Sequence, residues 1–178
     1  MRRGYLLTLM VMMALGQISF AEEKKDKLNV VFMLSDNQSY YEMSSHGHAK
    51  VKTPNIDRLA KQGVDFQHFY APPFCSPSRS VMMTGKYALR SGIHDTIAGR
   101  SIMHKKDKTI ADIMQTDGYR TAIFGKWHLG LDPEYHPLER GFDEFYGFLG
   151  HGAHDYFDLE SKPDQPHNAM YRNGDIIN

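Results

Sequence analysis

The 178-residue chain carries 21 Lys and Arg against 21 Asp and Glu, ten His, one Cys and 41% hydrophobic residues. That composition suits one ordinary globular domain and excludes a disordered chain. Balanced charge with no long basic run gives no electrostatic footprint for nucleic acid, and a lone cysteine excludes both a disulfide framework and a thiolate zinc cluster.

Arg2 and Arg3 precede an apolar stretch from Tyr5 to Ile18, and Ser19-Phe20-Ala21 puts small residues at the two positions a signal peptidase reads. Residues 1–21 are therefore expected to be an export signal, with a retained anchor as the alternative. The apolar run is short for a membrane span, which needs about 20 residues. Cleavage after Ala21 removes two basic residues and no acidic ones, leaving residues 22–178 weakly acidic. No later segment could span a bilayer, so a periplasmic or extracellular protein without a stable membrane span is expected.

Leu28 to Leu34 is a nearly continuous apolar run that predicts a parallel strand buried on both faces. It ends at Ser35, Asp36 and Asn37, and ligand crevices of open α/β sheets lie beyond such carboxyl ends. A helix is expected next, with Thr53 as N-cap, Pro54 at its first position, Ile56, Leu59 and Ala60 on the apolar face and Gly63 as terminator. Val64 to Tyr70 alternates like a strand. Thr109 announces a further helix that presents Ile110, Ile113 and Met114 on one face and stops at Gly118, and Tyr119 to Phe124 reads as the strand after it. This order predicts an α/β sandwich with a largely parallel sheet. Its few strands leave a face uncovered, which suggests the N-terminal part of a larger domain, incomplete at the C-terminus; a small independent domain is the alternative.

Between the two helices lies APPFCSPSRSVMMTGKY, residues 71–87. Ser76 suits an N-cap, Pro77 a first helical turn and Gly85 a terminator, so Cys75 is placed at a helix N-terminus. Free N–H groups and partial positive charge there favour a thiolate or a tetrahedral oxyanion. Arg79, four residues on, lies on the same face and can address the same anion. A lone cysteine can equally be a small buried hydrophobe. In an exported protein an unpaired thiol points instead to a special use or a chemical conversion.

The order CSPSR followed by TGKY resembles the signature of type I sulfatases, in which the cysteine of CxPSR is oxidised to formylglycine. The resemblance continues in order through NVVFMLSDN, KTPNIDRLAKQGVDF, GYRTAIFGKWHLG and GFDEFYGF. It implies an alkaline-phosphatase-like sandwich, one bound calcium ion and hydrolysis of aryl or carbohydrate sulfate esters. Cys75, Arg79, Lys126 and His128 are then the catalytic group, and Asp36, Asn37 and Cys75 face the metal. A formylglycine-generating or sulfatase-maturing enzyme is the implied partner.

The family mechanism gives each residue a task. One hydroxyl of the aldehyde hydrate at Cys75 attacks sulfur and the alcohol leaves. The second hydroxyl then loses a proton, so that sulfate is expelled and the aldehyde returns; a serine could be sulfated but not released this way. Arg79 holds the formylglycine hydroxyl, Lys126 contacts sulfate and hydrate, and His128 orients or deprotonates the second hydroxyl. Asn37 departs from the commoner Asp-Asp pair, so the metal site loses a negative charge while keeping hard oxygen donors. The family's later metal carboxylate and amide, second histidine and second lysine find no match before Asn178, so weak or no turnover is expected of this length. A phosphonate monoester or phosphodiester hydrolase of the same superfamily is the alternative, and an inactive anion-binding remnant a third reading.

Other clusters carry bland readings. His46 and His48 are expected to be loop residues; His151, His154 and Asp155 sit in an aromatic, Gly-rich loop that is a candidate lining of a substrate entrance. Trp127, Phe142, Phe145, Tyr146 and Phe148 are expected to pack rather than to form a sugar platform.

Overall fold

The computed structural model describes residues 27–97, 99–150 and 169–177, which divide into a unit ending at Ser35 and a larger unit from Asp36 onward. In the first unit, residues 27–35 are extended without helix or strand. Leu28, Val30, Val31, Phe32 and Met33 are 66–82% exposed. The strand expected over Leu28–Leu34 therefore does not form. Among the described residues no neighbouring strand takes up its backbone groups, and an apolar run without a ladder partner has nothing to make it a strand.

The larger unit opens with two 3₁₀ turns, Tyr40–Glu42 and Ser44–His46, and then helix α1, Pro54–Gln62. Pro54 stands at the helix start with its φ preset, and the Gly63 N–H closes the far end on the Leu59 carbonyl at 2.9 Å. Thr53 precedes the helix as expected. Its hydroxyl bonds Asp57 at 2.8 Å rather than capping a backbone N–H. The apolar face is not packed: Ile56 and Leu59 are exposed. The strand expected at Val64–Tyr70 is also absent, with Val64, Phe66, Phe69 and Tyr70 all exposed and unladdered among the described residues.

Helix α2 spans Cys75–Thr84 and is capped by Phe74, not by Ser76. The Ser78 N–H bonds the Phe74 carbonyl at 3.0 Å, so the first helical turn closes before the expected cap, and Ser76 lies buried within it. Pro77 is tolerated because an N–H in the first turn has no helical acceptor. Gly85, at φ +65°, ends the helix in the left-handed conformation.

Helix α3, Ile110–Thr116, is fixed by a capping box: the Thr109 N–H donates to Asp112 at 2.7 Å while the Asp112 N–H donates to the Thr109 hydroxyl at 3.1 Å. The face expected to pack does so only at Met114, which is partly buried. Ile110 and Ile113 are about half exposed, and Ala111 is the buried residue. The reason lies in Gly141, whose backbone comes so close to Ala111 and Asp112 that an added Cβ would stand 2.8 Å from the Ala111 carbonyl carbon. Backbone contact at the first turn, rather than the isoleucine stripe, seats this helix.

Strand β1, Ala122–Lys126, pairs in parallel with β2, Glu144–Phe148; β3, Met170–Arg172, and β4, Asp175–Ile177, follow antiparallel in the order β1-β2-β3-β4. The sheet is thus mixed. β1 starts later than the expected Tyr119, because the Tyr119 N–H still serves the Met114 carbonyl of α3 at 3.1 Å and the Thr121 N–H is held by Asp143 at 2.7 Å. Trp127, Leu129, Phe142, Phe145 and Ile93 form the core beneath it. The Trp127 ring meets Phe142 edge-on at 6.1 Å and donates its Nε1–H to the Tyr135 carbonyl at 2.9 Å. Trp127, Phe142, Phe145 and Phe148 pack as expected, whereas Tyr146 does not and is exposed.

Candidate active site

Three of the residues singled out in the sequence converge. Arg79, in the second turn of α2, donates from one guanidinium nitrogen to Asp36 Oδ2 at 2.8 Å and from the other to the Lys126 carbonyl at 2.5 Å. Lys126, at the end of β1, places Nζ 3.1 Å from the same Oδ2. Both cationic side chains are nine-tenths buried, whereas the Asp36 side chain is 32% exposed. One carboxylate oxygen thus locks two cations from different elements. Arg79 can do this because its planar fork reaches a carboxylate and a carbonyl together.

Burial pushes the Asp36 carboxyl up, but hydrogen bonds and charge from Lys126 and Arg79 outweigh it and hold it below the usual carboxylate range. The folded value is depressed, so Asp36 contributes stability above its unfolded value and loses that contribution as pH falls through the folded one. The stability difference between the protein and Asp36→Asn is therefore expected to be full at pH 7 and to vanish in acid. Thermal melting across an acidic pH series measures it, and a pH-independent difference would contradict the coupling.

Cys75 is the first residue of α2 and is partly exposed, one turn before Arg79 on the same helix face. It is therefore not a member of the apolar core. Asn37 follows Asp36 on the surface at φ +57°, a left-handed conformation that Asn tolerates better than most residues. His128 also has positive φ, +60°, and is 4% exposed. Its Nε2 lies 2.9 Å from the Thr96 carbonyl, which only accepts. The neutral ring then carries its proton on Nε2 and presents Nδ1 as the basic nitrogen.

As donors for a hard cation, Asp36 and Asn37 are of the right type: an ionised carboxylate, of which Oδ1 makes neither cation contact, beside an amide oxygen. Calcium takes six to eight oxygens, so two such donors by themselves would be a minority of its shell. Among the described residues no group of three or more His, Cys, Asp and Glu could hold a metal. His46 is engaged otherwise, stacked on Tyr40 at 3.9 Å and bonded to Asp65 at 3.1 Å, while His48 accepts from the Val51 N–H at 2.8 Å. His48 is a loop residue, as expected, whereas His46 closes the second 3₁₀ turn. His151, His154 and Asp155, like residues 1–21, lie outside the described residues.

The sequence reading missed one feature, a cavity of about 320 Å³ beside His128, lined also by Thr96, Ile102, Leu131, Asp132 and Leu149. Its walls come from loops with no periodicity. The one available signal was that Leu131 and Asp132 directly follow the GKWHLG segment.

A family model described as Sulfatase matches residues 28–171. N-acetylgalactosamine-6-sulfatase of Mus musculus is 33% identical over 95% of this chain and 34% of its own length, and arylsulfatase H of Homo sapiens is 39% identical over 67% of this chain and 24% of its own length. Among solved structures, Ps i-CgsB in complex with k-i-k-neocarrahexaose superposes with a TM-score of 0.66 at 31% identity, covering 80% of this chain and 35% of that one. A second, solved with its substrate D-glucosamine-2-N,6-O-disulfate, gives 0.65 at 28% identity over 84% of this chain and 27% of that one. The chain spans about a third of the length of the relatives it matches first.

Proposed function

This chain belongs to the sulfatase family, of alkaline-phosphatase-like fold, and on that premise we propose that it carries the reactive part of a sulfuric ester hydrolase acting on aryl or carbohydrate sulfates. The observation that carries the reading is the convergence of Arg79 and Lys126 on Asp36, one helical turn from Cys75. A sulfate ester is a weak electrophile wrapped in negative oxygen, so fixed cations around it are the main requirement. Arg79 is held at both ends of its fork and meets an anion without reorganising. Lys126 supplies a second cation against the same oxygens. His128, with its Nε2 proton held by the Thr96 carbonyl, receives a proton at Nδ1.

Converted to formylglycine by a maturing enzyme, Cys75 would supply a hydrate oxygen as nucleophile. Asp36 and Asn37 would hold one divalent cation, calcium by donor type, which would polarise a sulfate oxygen. Export belongs to the same reading: Arg2, Arg3 and the apolar run to Ile18 support residues 1–21 as a signal and a periplasmic or extracellular destination. Among the described residues no helix is long and apolar enough to cross a membrane.

The test is hydrolysis of an aryl sulfate and an aryl phosphonate by the protein co-produced with a formylglycine-generating enzyme, in calcium. Slow release from the sulfate, above the Cys75→Ala background, is expected, because the two oxygen donors described are a minority of a calcium shell. Measurable release from the sulfate that persists unchanged in Cys75→Ala overturns the proposal. Faster cleavage of the phosphonate would reassign the site to phosphorus esters.

A further inference from the structure

His46 stands between two groups that only accept, and we propose that it is a proton-dependent latch, closing residues 39–67 into one unit at weakly acidic pH and releasing them at alkaline pH, whatever reaction the neighbouring residues perform. Its Nδ1 lies 2.9 Å from the Tyr40 carbonyl and its Nε2 3.1 Å from Asp65 Oδ2. Neither a carbonyl nor an ionised carboxylate can donate, so both contacts are hydrogen bonds only when the ring carries both protons. A neutral ring, in either tautomer, sets a lone pair against one of the two oxygens. The side chain is 7% exposed and stacks on the Tyr40 ring at 3.9 Å, an arrangement that favours the cation.

The contacts join three segments. Tyr40 lies in the first 3₁₀ turn and donates its hydroxyl to Gln67 at 2.9 Å, His46 closes the second turn, and Asp65 follows α1. From α1 itself the charged group acting on the ring is Asp57, an anion that also accepts from the Ser44 hydroxyl at 2.6 Å. Glu42, on the first turn, is engaged by the Ser39 N–H at 2.7 Å. The hydrogen bond to Asp65, and after it the one to the Tyr40 carbonyl, hold the His46 proton above the usual histidine range against desolvation. With the folded value raised, the latch contributes fully below the ordinary value of 6.5 and is lost as pH climbs through the folded one. His48 has the opposite demand, because its Nδ1 accepts from the Lys50 and Val51 N–H groups at 3.2 and 2.8 Å. The measurement therefore runs upward from pH 6.5 and leaves those two amides out.

Amide hydrogen exchange of the full chain, corrected for intrinsic rates, tests the latch between pH 6.5 and 9. The bonded N–H groups of Ser44, His46 and Asp57 report on it, read against the β1–β2 ladder. Their protection is expected to fall about threefold or more relative to the ladder, the scale of a solvent-facing ion pair. His46→Phe keeps a ring on Tyr40 but carries no proton, so its protection should not change with pH. Asp65→Asn offers an amide N–H to the neutral Nε2, so protection should persist at pH 9. Protection absent at pH 6.5, a smaller fall or a rise in the parent chain, or an equal fall in either variant would overturn the assignment.

Discussion

Replacing Arg79 by alanine is expected to cost about 3 kcal/mol of stability and at least about 100-fold in aryl sulfate hydrolysis. The guanidinium is nine-tenths buried and bridges the Asp36 carboxylate to the Lys126 carbonyl. Its removal leaves a carboxylate with one cation instead of two and takes a donor from the partly buried Lys126 carbonyl. The partial exposure of Asp36 lets water recover some of the loss, which keeps the figure at the low end for a broken buried pair. Arg79→Lys is expected to restore little, because a single ammonium cannot reach both acceptors in the fork geometry. Urea denaturation gives the first number and initial rates the second. A stability loss below about 0.5 kcal/mol would show that the pair is merely a surface contact.

Gly147→Ala is the second large effect, and it acts on the same site from the sheet. Gly147 is paired with Gly125 across the parallel β1–β2 ladder. A Cβ at Gly147 would lie 2.7 Å from the Gly125 carbonyl carbon and 2.8 Å from its nitrogen, and closer still to its oxygen. These are backbone atoms and cannot rotate aside, so the strands must separate. A loss of about 3 kcal/mol or more is expected, beyond ordinary overpacking of a flexible side chain. Lys126 follows Gly125 directly, so the displacement should also weaken its 3.1 Å contact with Asp36. Denaturant midpoints compared with Gly125→Ala separate two causes. Gly125 sits at φ +109° with open space around its Cβ position, so its substitution should cost only backbone strain, on the order of 1–2 kcal/mol. A Gly147→Ala protein as stable as Gly125→Ala would refute the steric argument.

The site was more legible in the sequence than the fold around it. Thr53-Pro54, Thr109 and Gly85 are local signals, and the helix ends they mark are where they should be, because capping depends on nearby backbone groups. Leu28–Leu34 and Val64–Tyr70 have strand composition, but a strand is made by its partner, and composition cannot say whether one is present. The isoleucines of α3 failed for a related reason: Gly141 seats that helix by close backbone approach, a tertiary contact that periodicity does not encode. The juxtaposition of Asp36, Arg79 and Lys126, 43 and 47 residues apart in successive steps, was available only through the family resemblance. Spacing alone could put Arg79 one turn beyond Cys75, but it could not bring Asp36 to the end of β1.

The most direct measurement is the mass of the peptide containing residue 75, from protein co-produced with a formylglycine-generating enzyme. Replacement of the thiol by an aldehyde at that position is the predicted result, with no change in any other peptide. An intact thiol at residue 75 under those conditions would contradict the claim that this helix tip is the reactive centre of a sulfatase.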